Sequence, residues 1–97
     1  MALATLTPWA AADGRIDHEG ARAAMLAGQI RPLGEILRQV QPRLGGEVIR
    51  LNLEREDGRW VYEFTVLEPG GRIVEWYVDA ATAQILKHEA QRAPKRR

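Results

Sequence analysis

Two histidines, His18 and His88, and thirteen Asp and Glu residues are the side chains of this 97-residue chain with proton-transfer or metal-binding chemistry. A histidine acts as a general base only when a second functional group stands within hydrogen-bond reach. His18 opens the first helix read from the sequence and His88 follows the last strand-like segment, so they fall at opposite ends of the fold. The chain has no zinc-peptidase helix signature, nucleophile elbow, phosphate loop or dinucleotide fingerprint. Cysteine is absent, which removes disulfides and thiolate metal sites. The glycine pairs beginning at Gly45 and Gly70 are explained as a helix stop and a hairpin turn. Paired carboxylates perform acid–base chemistry when burial shifts one of them. Glu63 and Glu75 alternate with neighbours at strand spacing, and are read as solvated charge on an outward face with no apolar setting to shift them. No catalytic, cofactor-binding or metal-binding residue is assigned, and the chain is read as not an enzyme.

The element that positions everything else is Arg59 to Leu67, R-W-V-Y-E-F-T-V-L. Trp60, Tyr62, Phe64 and Val66 alternate, which places all four on one face of a strand. Similar stretches at Val48–Leu53 and Ile73–Val78 flank it, so it is the middle strand of an antiparallel sheet. A two-residue type I′ turn at Asp57-Gly58 sets Leu53 against Tyr62, Leu51 against Phe64 and Ile49 against Val66. A three-residue loop at Pro69 to Gly71, with Gly71 left-handed, sets Val66 against Val74, Phe64 against Trp76 and Tyr62 against Val78. Two independent loop lengths thus select the same buried face. A one-residue slip in either hairpin would turn its aromatic residues to water.

Asp17 is read as the N-cap of a short helix over His18 to Ala27, with Ala21, Ala24, Met25 and Ile30 as a thin apolar stripe and Gly28 as its stop. His18, at the exposed start, is a surface residue. Pro32 suits the first turn of a second helix, in which Leu33, Ile36, Leu37, Val40 and Leu44 form the stripe that covers the sheet. Pro42 should end or bend this helix near Val40 to Gln41. Ile85 and Leu86 mark a short fourth segment able to pair with the third strand, with fraying from Glu89 onward. The fold class is α+β: two N-terminal helices, the second packed on one face of a three- to four-stranded antiparallel sheet.

The chain is one domain. Residues 1–16 form an N-terminal tail whose Ala10 and Ala12 resemble the end of a secretory signal, 17–89 the folded domain, and 90–97 a basic disordered tail. From Asp17 to Glu89 nine basic residues face twelve acidic ones, so the body is net −3 while the ends carry the positive charge. No run approaches the ~20 apolar residues of a membrane span.

Three stretches together resemble the PepSY domain family: A-M-L-A-G-Q-I-R-P-L-G-E-I-L at Ala24–Leu37, L-N-L-E-R-E-D-G-R-W-V-Y-E-F at Leu51–Phe64, and G-G-R-I-V-E-W-Y-V-D-A-A-T-A-Q-I-L at Gly70–Leu86. Ala83 departs from the pattern, which usually has glycine there; if the position needs positive φ, alanine costs ~1 kcal/mol and the turn is rebuilt. The resemblance implies a small bacterial domain, periplasmic or secreted, without established catalytic residues, for which a role in restraining peptidases has been proposed.

The expected function is a noncatalytic extracytoplasmic protein-binding module, a peptidase inhibitor or regulator, whose partner is a peptidase or a second copy of itself. Its candidate partner-binding face is the second sheet face, with Val61, Thr65, Leu67, Ile73 and Tyr77, since one helix stripe covers only one side of a sheet. Tyr77 is the best single contact residue. One alternative is binding of nucleic acid or an anionic surface through Arg92, Lys95, Arg96 and Arg97. Another is a homodimeric structural domain. Burial of the sheet aromatics and the acidic body make nucleic acid the weaker partner.

Overall fold

Asp17 starts the first helix by accepting a hydrogen bond on its side chain from the Gly20 N–H at 2.9 Å, which satisfies one of the donors a helix start leaves open. Helix α1 spans His18–Leu26 and α2 spans Leu33–Leu44; strands β1 (Glu47–Glu56), β2 (Arg59–Leu67), β3 (Ile73–Asp79) and β4 (Ile85–Ala90) follow in order. The computed structural model describes residues 17–91; the expectations for the N-terminal segment 1–16 and for the basic residues 92–97 lie outside the described residues. The strands form one antiparallel sheet in the order β1-β2-β3-β4, each paired with its sequence neighbour.

Both hairpins have the expected turns. Asp57 and Gly58 adopt φ values of 49° and 81°, the left-handed pair of a type I′ turn, and Gly71 adopts 96°. The β2–β3 register matches the sequence reading throughout, with Phe64 opposite Trp76 and Tyr62 opposite Val78. The β1–β2 register matches at Leu53–Tyr62 and Leu51–Phe64 and then departs from it. Val48, rather than Ile49, faces Val66, because a bulge between Val48 and Arg50 inserts one residue. Ile49 occupies the extra position and is 51% exposed. A bulge leaves its additional residue unpaired and lets the strand restart in register, here so that Val48 packs against the core while Arg50 faces water.

Helix α2 also runs further than its proline suggested. It continues through Pro42 to Leu44, and Gly45 at φ 73° closes it in the left-handed conformation. Interior proline costs ~3 kcal/mol, but Pro42 lies in the last turn, and stopping before it would leave Leu44, now fully buried, without its place in the core. Strand β4 is likewise longer than expected: Glu89 and Ala90 pair with Glu75 and Val74, and the Gln91 N–H donates to the Ile73 carbonyl at 2.7 Å.

The core lies between the helices and one sheet face. Ala24, Ile30, Ile36, Val40 and Leu44 meet Trp60, Tyr62, Phe64, Val66 and Val78, with Ala80 and Ala83 at the edge. Met25, assigned to the stripe of α1, is largely exposed instead. The link between helices is tied to the sheet at two points: the Arg31 N–H donates to the Ala80 carbonyl at 2.8 Å, and the Tyr62 hydroxyl donates to the Arg31 carbonyl at 2.9 Å. Burial raises the pKa of the Tyr62 hydroxyl, which keeps it a donor at neutral pH.

The β3–β4 turn is not rebuilt around Ala83. That residue holds φ 72° and is 7% exposed, while its N–H donates to the Asp79 carbonyl at 2.8 Å. Asp79 Oδ1 also accepts from the Ala81 N–H at 2.7 Å, so the acid fixes the turn that strains the alanine. Glycine there would relieve ~1–2 kcal/mol of left-handed strain but lose about 0.8 kcal/mol of methyl burial and add unfolded-state entropy. Ala83→Gly should therefore change unfolding free energy by less than about 1 kcal/mol, while β-branched Ala83→Val should cost more than about 2 kcal/mol, both read by urea denaturation.

Candidate functional site

Because both helices pack on the Trp60–Phe64 side, strand alternation directs the other half of the sheet residues to a second, outer face. Val61, Glu63, Thr65 and Leu67 of β2 stand there between Glu54, Asn52 and Arg50 of β1 and Asp79, Tyr77, Glu75 and Ile73 of β3. The structure brings all five sequence-selected residues onto this face, at different depths. Val61 is 1% exposed and Thr65 9%, so these two are sealed beneath their neighbours and are not available as an exposed contact. Leu67 is 37% exposed, and Ile73 and Tyr77 are partly buried. The accessible part of the candidate face is therefore Leu67, Ile73 and Tyr77.

Tyr77 is held in place by its surroundings. Its hydroxyl donates to Glu75 Oε1 at 3.3 Å, and the Lys87 ammonium sits 4.7 Å from the ring centroid. Burial, then the charges of Glu63 and Glu75, push its pKa far above the usual phenol range, so it stays neutral. Beside it is an open cavity of about 300 Å³, floored by Val61 and Leu86 and walled by Glu56, Asp57, Arg59 and Lys87. Arg59 Nη1 reaches Asp79 Oδ2 at 3.1 Å, and Lys87 lies 4.0 Å from Glu89.

The sequence reading found no setting that would shift a carboxylate, and the structure contains one. Glu54 projects from β1 beside Val61, diagonally from Glu63. Its pKa is raised to about 6, first by burial, then by a hydrogen bond to Glu63 that only the protonated acid can donate, and by the charges of Glu63, Glu56 and Glu75. Glu54 was the missed residue. The register written for the first hairpin already placed it across from Val61, but the depth of Val61 is not readable from alternation alone.

The face is net acidic. Glu47, Glu54, Glu56, Glu63, Glu75, Asp79 and Glu89 share it with Arg50, Arg59 and Lys87, seven acids against three bases, hence −4. Residues 17–89 are net −3 as a whole, so the remainder of the body carries +1 and the acidity is concentrated on this face.

On the opposite side, Trp76 stacks on His88 with ring centroids 4.3 Å apart, and its indole N–H is buried without a partner among the described residues. His88 is thus a packing residue of β4 that faces away from the outer carboxylates, and His18 lies exposed at the start of α1. Trp60, Tyr62 and Phe64 are in the core, where no base could stack on them.

The family profile described as Peptidase propeptide and YPEB domain, PepSY, matches residues 32–89, from the start of α2 through β4 to its penultimate residue. This chain belongs to the PepSY family. Comparison with curated proteins and with solved structures gave no match. PepSY domains are generally noncatalytic propeptide-like or regulatory modules, typically extracytoplasmic, and the family points to interaction with peptidases. Among the described residues no helix is long and apolar enough to cross a membrane.

The raised pKa of Glu54 fixes a pH signature. A carboxyl whose folded pKa exceeds its unfolded value contributes stability fully present below about 4.5 and lost as pH rises through about 6. Glu54→Gln should therefore raise the unfolding free energy at pH 7.5, by under about 1 kcal/mol after allowance for solvent screening, and the gain should vanish below pH 4.5. Thermal unfolding across that range checks the sign.

Proposed function

We propose that this PepSY chain is a noncatalytic, periplasmic or secreted protein-binding module that regulates a peptidase through the outer face of its sheet. Leu67, Ile73 and Tyr77 make the contact; Val61 and Thr65 are the packed base that holds them. The observation that carries this reading is that α1 and α2 cover one sheet face only, leaving a half-apolar second face with a cavity beside Tyr77. The placement of the titratable residues supports a noncatalytic role. His18 and His88 are far from the Glu54–Glu63 pair, which sits on an open sheet surface rather than in a water-excluding cleft.

Family membership supports the peptidase as the class of partner. A rigid antiparallel sheet also suits the task, since a preformed surface binds without an ordering cost at the moment of contact. Tyr77 combines a large ring with a hydroxyl already fixed by Glu75, the type of residue that carries most of the energy at an interface centre.

The test is a titration of the purified chain into the secreted metallopeptidases of its source bacterium, with hydrolysis of a peptide substrate as the readout. The expected result is saturable inhibition that Tyr77→Ala weakens at least tenfold, with an unchanged circular dichroism spectrum. Activity unaltered by a large excess of the chain, or inhibition indifferent to Tyr77→Ala, would count against the reading.

A further inference from the structure

The charge on the outer face specifies its occupant more closely than the family does. Seven carboxylates against three cations leave the face at −4, and two of those cations are already engaged, Arg59 with Asp79 at 3.1 Å and Lys87 above Tyr77 and beside Glu89. The cavity of about 300 Å³ next to Tyr77 is lined by Leu86 and Val61 and by two acids, Glu56 and Asp57, that face two bases, Arg59 and Lys87, so its own lining is charge-balanced. Glu54 pairs directly with Val61 across β1–β2, and Glu63 with Tyr77 across β2–β3, so two further carboxylates stand opposite cavity-lining residues and tip the neighbourhood to negative charge. A separate observation points to the same ligand chemistry: the chain's own Lys87 places an ammonium 4.7 Å over the Tyr77 ring, showing that this ring face accepts a cation.

We propose that the outer face docks a basic segment of a partner polypeptide, with one Lys or Arg side chain laid along Leu86 and Tyr77 and its charged head among Glu54, Glu56 and Glu63. Long basic side chains suit such a site because they bury an aliphatic stem while the head stays at charge. The surrounding apolar residues Leu67 and Ile73 take the neighbouring side chains of the same segment. Two adjacent anions that repel one another in the free protein gain a shared counter-charge on binding, which makes the contact selective against acidic sequences. This inference rests on the reading of the outer face as the contact surface and adds the chemistry of what it contacts.

The experiment is a titration of the ¹⁵N-labelled full chain with an acetylated, amidated seven-residue peptide of alternating lysine and valine, against the same peptide with glutamate for lysine. The expected result is that the lysine peptide moves the amide signals of Glu54, Glu63 and Tyr77, loses affinity as salt rises, and binds the Glu54→Gln/Glu63→Gln variant at least tenfold more weakly. Well-dispersed spectra of the variant establish that it is folded. Equal shifts from both peptides, shifts confined to α1 and α2, no binding, or full affinity in the double variant would each overturn the proposal. If the lysine peptide fails while Tyr77→Ala still abolishes peptidase inhibition, the basic occupant is wrong and the face stands; if both fail, the face itself is wrong.

Discussion

The burial of Phe64 between α2 and the sheet is the contact on which the rest of the molecule depends. Phe64 is fully buried at the centre of the central strand pair, opposite Leu51 on one side and Trp76 on the other, in the cluster that also holds Ile36 and Val40. Because side chains alternate across a strand, fixing the direction of Phe64 fixes those of Glu63 and Thr65 in the opposite sense. The acidic outer face is therefore a geometric consequence of the core. No separate device is needed to assemble Glu54, Glu63, Glu75 and Tyr77; three neighbouring strands bring them together once the inner face is packed.

The two tight turns make that arrangement robust. Asp57-Gly58 and Gly71 take left-handed conformations that admit one register each, and the registers agree. Where the chain needed to depart from alternation, it did so at the margin. The bulge at Ile49 lies near the start of edge strand β1, and the strained Ala83 lies in the last turn, where Asp79 supplies the hydrogen bonds that keep it in place. Neither disturbs the β2–β3 pairing, where Val61, Glu63 and Tyr77 stand, while a second bulge, in edge strand β4, leaves Leu86 unpaired opposite Tyr77 and Val78.

These same distinctions mark what was legible in the residue string. The helix cap at Asp17, both turns, the β2–β3 register and the common face of Trp60 and Trp76 follow from local rules of period and turn chemistry, and the structure has them all. Ile49, Pro42 and Glu54 did not follow, because each is decided by a competition between a local preference and a tertiary term. Val48 gains core contact if Ile49 is squeezed out; Leu44 is buried if α2 runs through Pro42; Glu54 is shifted because Val61 is sealed on a face that alternation assigns to solvent. The five candidate face residues were placed correctly in direction but not in depth. Depth depends on how neighbouring long side chains close over a position such as Val61, which a period of two does not encode.

The central claim is that the helices cover the Phe64 face and leave the Tyr77 face open. Nuclear Overhauser contacts from the two rings test it most directly. The account predicts strong contacts from the Phe64 ring to the methyl groups of Ile36 and Val40, and contacts from the Tyr77 ring to Lys87 and Val61 but to no residue of α2. Contacts between the Tyr77 ring and Ile36 or Val40, or a Phe64 ring with no neighbour in α2, would contradict it.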